Sequence, residues 1–183
     1  ASEAEVGTYI GVTAAVAGWL GVTSGGLLSD WLKARTPNAR IYVGLVTIVL
    51  SVPLGLIVLK TENVNLAYAV NFVFTFASSM WAGSAAAFPN DLVMPRMRAI
   101  VSAFYIMLVT FIGLALGPYT VGQISDGLFE AGASSGEALR QAMFIGLGGF
   151  AMAATLLLIA CRYAGSEEAS RLERARTAGE PGL

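Results

Sequence analysis

The stretch Ile41-Tyr42-Val43-Gly44-Leu45-Val46-Thr47-Ile48-Val49-Leu50-Ser51-Val52-Pro53-Leu54-Gly55-Leu56-Ile57-Val58-Leu59 contains no charged side chain and is apolar all round. A hydrocarbon core about 30 Å thick is crossed by roughly 20 apolar residues in helical form. A surface helix of a soluble bundle would instead carry a polar face at period 3.6. Four further stretches of comparable length flank this one, at 7–28, 66–88, 100–124 and 142–163, and no charged residue falls well inside any of them. The 183 residues are 56% hydrophobic and 13% charged, with mean hydropathy +0.69. Soluble domains average about 25% charged. The pattern predicts an all-α integral membrane protein with five transmembrane helices over residues 1–163 and a tail at 164–183.

Charge gives the expected orientation. Lys33, Arg35, Arg40, Arg96, Arg98, Arg162, Arg171, Arg174 and Arg176 fall on one side of the predicted spans, and only Lys60 and Arg140 on the other. The positive-inside rule makes the first side cytoplasmic, with the start of this segment outside and its tail inside, in a plasma or inner membrane. Acidic residues divide evenly between the sides, as expected if Lys and Arg alone set the topology. The formal charge of -1 hides this asymmetry.

With no histidine and one cysteine, Cys161, the chain cannot build a His/Cys metal site or a Cys/His catalytic pair. No metal, cofactor or nucleic-acid partner is expected. Ser2-Glu3-Ala4-Glu5 has the spacing of a capping box, and the absence of an initial methionine reads as part of a longer protein. The first span has no basic region and cleavage site of a signal peptide. In the tail, Ser166 is placed to cap a short helix, with Glu167 four residues before Arg171 and Gly179-Glu180-Pro181-Gly182 as its end. Arg171, Arg174 and Arg176 there are candidates for contact with anionic lipid.

The spans differ in kind. The first carries Gly7, Gly11, Gly18, Gly21 and Gly25, and the pairs Gly7/Gly11 and Gly21/Gly25 have the small-xxx-small spacing that lets helix backbones approach. The second, with a kink expected at Pro53, and the fifth suit lipid-facing positions. The third is the most polar: Asn71, Thr75 and Ser78 share one face at i, i+4 and i+7, with Ser79 and Ser84 beyond. Against lipid each would need a hydrogen bond. The stripe therefore lines a cavity or bonds to helix backbone, and a cavity lining is the favoured reading, with Tyr105 and Thr110 of the fourth span as further candidates. Pro118 removes a backbone donor beside Gly113 and Gly117, which predicts a bend there, as a hinge or as packing.

The string Gly26-x-x-x-Asp30-x-x-x-x-Arg35 in the first basic loop resembles the loop signature of the major facilitator superfamily, in which the glycine allows close helix contact and the arginine pairs with the aspartate or with phosphate head groups. Trp31 and Lys33 stand where family members commonly have a basic residue and a glycine. Pro95-Arg96-Met97-Arg98-Ala99, then Gly113-Leu114-Ala115-Leu116-Gly117-Pro118-Tyr119 and Ser125-Asp126, is similar to the eleventh helix of the spinster-like branch. The resemblance implies helices eight to twelve of a twelve-helix fold, most of its C-terminal six-helix half, whose N-terminal half lies upstream in the same polypeptide. It also implies alternating access about a midplane site, with the first, third and fourth spans facing the cavity or the seam and the second and fifth peripheral. The expected function is a secondary active transporter fragment. Its expected partners are membrane lipid and an amphipathic, lipid-like or small organic solute.

Two alternatives stand beside it. One is an integral-membrane enzyme of lipid metabolism, invited by Asp126-Gly127, but Leu128-Phe129-Glu130 follows where such a metal site needs Ala-Arg and further aspartates. The other is a non-transporting membrane scaffold or receptor.

Overall fold

The computed structural model describes residues 3–177, a succession of helices joined by short turns. Helix α1 runs Glu3–Lys33, α2 Ala39–Lys60 and α3 Val64–Asp91. A 3-10 turn at Pro95–Met97 leads into α4 (Arg98–Leu108), a π-helical segment (Val109–Leu116) and α5 (Gly117–Glu130), which follow one another without a break. Helix α6 spans Ser135–Thr177. Successive long helices run antiparallel. One end of the bundle gathers Lys33, Arg40, Arg96 and Arg98 and is here called the basic end.

Local chemistry explains the boundaries. Asn63 caps α3, its Oδ1 accepting from the amides of Asn65 at 3.1 Å and Leu66 at 3.3 Å. Gly132, at φ 100°, ends α5: its amide bonds to the Phe129 carbonyl and that of Ala133 to the Leu128 carbonyl. These are the paired bonds of a left-handed glycine stop. Just before Pro118, where a bend is expected, the helix is π-helical over Val109–Leu116. Wider π turns reach five residues back, which gives room to a ring that would otherwise clash with the carbonyl four residues earlier. Thr120 Oγ1 donates to the carbonyls of Leu116 and Gly117, both at 2.9 Å, where the backbone ladder changes.

Four of the five crossings are long and apolar enough to span a bilayer. Helix α3 falls outside that set because Asn71, Thr75, Ser78, Ser79 and Ser84 lower its hydropathy, although its 28 residues give about 42 Å of helix. It is nonetheless the centre of the fold, packed on both α1 and α2.

The approach of α1 to α3 is set by glycine. A β-carbon on Gly25 would occupy the place of the Met80 carbonyl, and one on Gly21 would strike the Phe76 carbonyl. From the other side, a β-carbon on Gly83 would lie 2.6 Å from the Val22 carbonyl and 3.0 Å from the amide nitrogen of Gly26. The Gly21/Gly25 pair is thus a backbone contact, as its spacing predicts. Gly7 and Gly11, equally spaced, have no neighbour there among the described residues. At that end Tyr9 stacks on Tyr68 with centroids 4.2 Å apart, and its hydroxyl donates to the Tyr68 carbonyl.

Two expectations need correction. The second span is apolar all round in sequence, yet α2 buries Ile41, Val43, Gly44, Thr47, Ser51 and Gly55 along one face. It packs on α3, α6 and α1, leaving Val46, Val49, Leu50 and Ile57 outward. An apolar sequence cannot distinguish a face against protein from one against lipid, so the peripheral assignment describes only half of this helix. The second correction concerns the tail. Helix α6 does not stop near Tyr163 to restart at Ser166; its 43 residues are continuous, about 65 Å in all. Ser166 Oγ donates back to the Tyr163 carbonyl at 2.8 Å instead of capping, and Glu167 pairs with Arg174 at 3.7 Å instead of with Arg171. Ser2 and the stretch Gly179-Glu180-Pro181-Gly182 lie outside the described residues.

Candidate functional site

Charged side chains meet at the basic end, where four helices converge. Asp91 closes α3, and Arg40 stands one residue inside the start of α2, so the short α2–α3 turn at the far end brings the two level again. Arg40 Nε lies 2.5 Å from Asp91 Oδ2, and its second arm reaches Oδ1 at 3.5 Å. The remaining nitrogen donates to Ser29 Oγ and Asp30 Oδ1, each at 3.3 Å. Lys33, in the last turn of α1, contacts the same Asp91 oxygen at 3.4 Å and Glu168 Oε2 of α6 at 2.7 Å. Asn38 adds a neutral tie, its amide donating to the Cys161 carbonyl at 3.1 Å.

Three acids and two bases thus link α1, α2, α3 and α6. The pairs are unequal. The Arg40 side chain is 12% exposed and that of Asp91 23%, whereas Asp30 is 71% exposed. A two-armed guanidinium–carboxylate contact shielded from water is the strong member; an exposed pair contributes between zero and about 1 kcal/mol.

The sequence candidates fall as follows. Of the loop signature, Asp30 joins the cluster at its exposed edge, paired with Arg40. Arg35 does not reach Asp30: its guanidinium lies 3.9 Å above the Trp31 ring. Trp31 occupies the position where the family commonly has a base, and stacking on it holds the arginine away from the acid. The Gly26 amide lies in the tight α1–α3 crossing, although the contact comes from Gly83 across the interface.

On α3, Asn71, Thr75 and Ser78 are half-buried. Ser78 Oγ donates to the Thr75 carbonyl at 3.2 Å, and Ser84 Oγ to the Trp81 carbonyl at 2.9 Å. The side chains of Asn71 and Thr75 have no hydrogen bond among the described residues. Tyr105 is half-buried on α4 and Thr110 exposed in the π-helical segment. Gly113 and Gly117 touch nothing where a β-carbon would stand. No residue of α4, the π-helical segment or α5 is buried, and Ile100, Phe104, Phe111, Leu114 and Tyr119 present a continuous apolar surface.

Asp91, Arg40 and Glu168 went unnoticed as site residues in the sequence. The only local signal was that Asp91 is the single acid near the end of the third span.

The architecture is that of a multi-pass membrane protein, a bundle of long helices of which four are apolar enough to span a bilayer. No family model matches the chain. Protein spinster of Drosophila melanogaster is 31% identical over 128 residues, which are 69% of this chain and 21% of that protein. Protein spinster homolog 3 of Danio rerio is 32% identical over 127 residues, 67% of this chain and 25% of that protein. The crystal structure of a bacterial homolog of the human lysosomal transporter spinster, inward-facing and unoccupied, superposes with a TM-score of 0.72 at 22% identity, over 84% of this chain and 39% of that one. The chain therefore spans about a fifth to a quarter of the length of the curated relatives it matches. It is a spinster-like stretch of the major facilitator superfamily.

Proposed function

We propose that this chain forms helices eight to twelve of a secondary transporter that moves an amphipathic organic solute by alternating access. The basic end faces the cytoplasm of a plasma or inner membrane, the start of the segment lies outside, and the rest of the polypeptide supplies the facing half. The observation that carries the reading is the segregation of contacts along the bundle. Glycine-mediated backbone contacts hold α1 to α3 along the bundle, while the ionic contacts are gathered at one end. Close-packed apolar interfaces are stiff. The exposed Asp30–Arg40 pair exchanges for water at small cost and the shielded Arg40–Asp91 contact at a larger one, so a conformational change that alters these contacts by about 1–2 kcal/mol shifts populations about tenfold. Asn71 and Thr75, whose side chains have no hydrogen bond among the described residues while Ser78 and Ser84 bond back to their own helix, are the groups placed to orient a solute. The relatives and the solved transporter point away from an enzyme.

The experiment is solute counterflow in proteoliposomes containing the whole parent polypeptide, screened across amphipathic solutes with and without a fixed anionic group. Saturable flux that collapses in Asn71→Val/Thr75→Val, with the protein still folded, supports the reading. Absence of saturable flux for every solute class refutes it.

A further inference from the structure

A second polar feature lies beside the charge cluster. Between the end of α3 and the start of α4 a cleft of about 450 Å³ opens at the basic end, lined by Arg40, Asn90, Asp91, Arg98 and Ser102. Its charges are not balanced. Both oxygens of Asp91 are engaged by Arg40, and Lys33 takes Oδ2 as well. Asn90 is occupied too: its amide donates to the Ala86 carbonyl at 3.1 Å, and its Oδ1 accepts from Ser102 at 3.1 Å. Arg98 alone among these lining side chains has no hydrogen bond or ion pair among the described residues, and it is exposed at the cleft mouth.

We propose that this cleft binds a phosphate group, with the Arg98 guanidinium as its charged contact and the Ser102 hydroxyl, released from Asn90, as a second donor. A guanidinium presents a planar fork that fits two phosphate oxygens, each bond charge-assisted. The volume lies within the range of small-ligand clefts, about 300–1,000 Å³. Immediately beside it on α4, Ile100 is 71% exposed and Phe104 57% exposed among the described residues. An acyl chain lying along that face would leave a lipid phosphate at the mouth; free phosphate would use the polar part alone.

The test uses the whole parent polypeptide and two probes. Phosphatidylglycerol retention is read by native mass spectrometry after release from mixed phosphatidylglycerol/phosphatidylcholine nanodiscs, and inorganic phosphate binding by stabilisation against heat in neutral detergent. The expected order of binding is wild type, then Arg98→Lys, then Arg98→Gln, the last weakened about tenfold by loss of a charge-assisted contact. Lys60→Gln, exposed at the opposite end of the bundle, retains wild-type binding. Arg98-dependent retention of the lipid alone identifies a headgroup site, and the same dependence with inorganic phosphate identifies a free-anion site. Failure of wild type to bind either probe, equal binding by wild type and Arg98→Gln, or equal loss in Lys60→Gln overturns the proposal. Any of these would leave the transport reading untouched, since counterflow is measured separately.

Discussion

Arg40 and Asp91, 51 residues apart in sequence, meet through two nitrogens and both carboxylate oxygens at the end of the bundle where α1, α2, α3 and α6 converge. Asp91 is the hub, since Lys33 shares its Oδ2 and passes the contact on to Glu168. Asp30, the acid of the loop signature, is a spoke. On the proposed reading, Asp91→Asn should alter counterflow by the parent polypeptide several-fold while lowering unfolding stability by only about 1–2 kcal/mol, the discount reflecting partial exposure. Asp30→Asn should change either quantity by less. Initial rates of counterflow, compared with thermal unfolding of the same preparations, check the ranking. Equal effects of the two substitutions would contradict it.

A double-mutant cycle gives the pair itself. Arg40→Gln and Asp91→Asn should show a coupling of about 1–2 kcal/mol in unfolding free energy. The Asp30–Arg40 coupling should be no larger than about 0.5 kcal/mol and should vanish in high salt.

The glycine contacts make an opposite kind of prediction, confined to folding. Gly25→Ala and Gly83→Ala each place a methyl group against backbone atoms that cannot move aside. Each should destabilise by about 1–3 kcal/mol or more, as overpacking does. Gly7→Ala and Gly11→Ala meet nothing and should stay within about 0.5 kcal/mol of wild type. Thermal unfolding in detergent separates the two sets.

Thr47 and Ser51 are fully buried on α2, and their hydroxyls have no partner among the described residues. Removing a buried hydroxyl that makes no bond costs little and can stabilise. Thr47→Val should be neutral or raise stability by up to about 1 kcal/mol. A loss larger than about 1 kcal/mol would show that the hydroxyl is bonded.

Much of this fold is legible in the sequence, because crossing a bilayer demands long apolar helices and alternate loops carry the basic residues. The stop at Gly132 and the start at Asn63 follow from local chemistry. What stays hidden depends on register between distant segments. Gly7/Gly11 and Gly21/Gly25 have identical spacing, and only the position of α3 decides which pair is a contact. Lys33 and Glu168 are 135 residues apart, so no local pattern joins them. The pairing of Arg35 with Asp30 was the natural local expectation, and Trp31 and Arg40 together displace it. For the cavity residues, helical spacing gives the shared face of Asn71, Thr75 and Ser78, while the bond from Ser78 to its own helix depends on a rotamer that spacing does not set.

Orientation rests on charge asymmetry and is open to a direct check. Cysteines at Ala34 and Ser134, both exposed in turns at opposite ends, should label from opposite sides of the membrane. Modification of both by one impermeant reagent on intact cells would contradict the assignment.

Alternating access at α3 is the central claim, and cysteine reactivity at Thr75 tests it most directly. The whole parent polypeptide, with Cys161 replaced by alanine, is reconstituted in one orientation, and Thr75→Cys is exposed to a small impermeant thiol reagent from each face in turn. Val49→Cys, at an outward apolar position 70% exposed in the described chain, serves as the lipid-facing control. Leu157 is unsuited to that purpose because it packs against Gly44. The account predicts that Thr75→Cys reacts from both faces, that Asp91→Asn shifts the balance between them, and that Val49→Cys stays inert. Reaction from neither face, or from one face only and unchanged by Asp91→Asn, would contradict it.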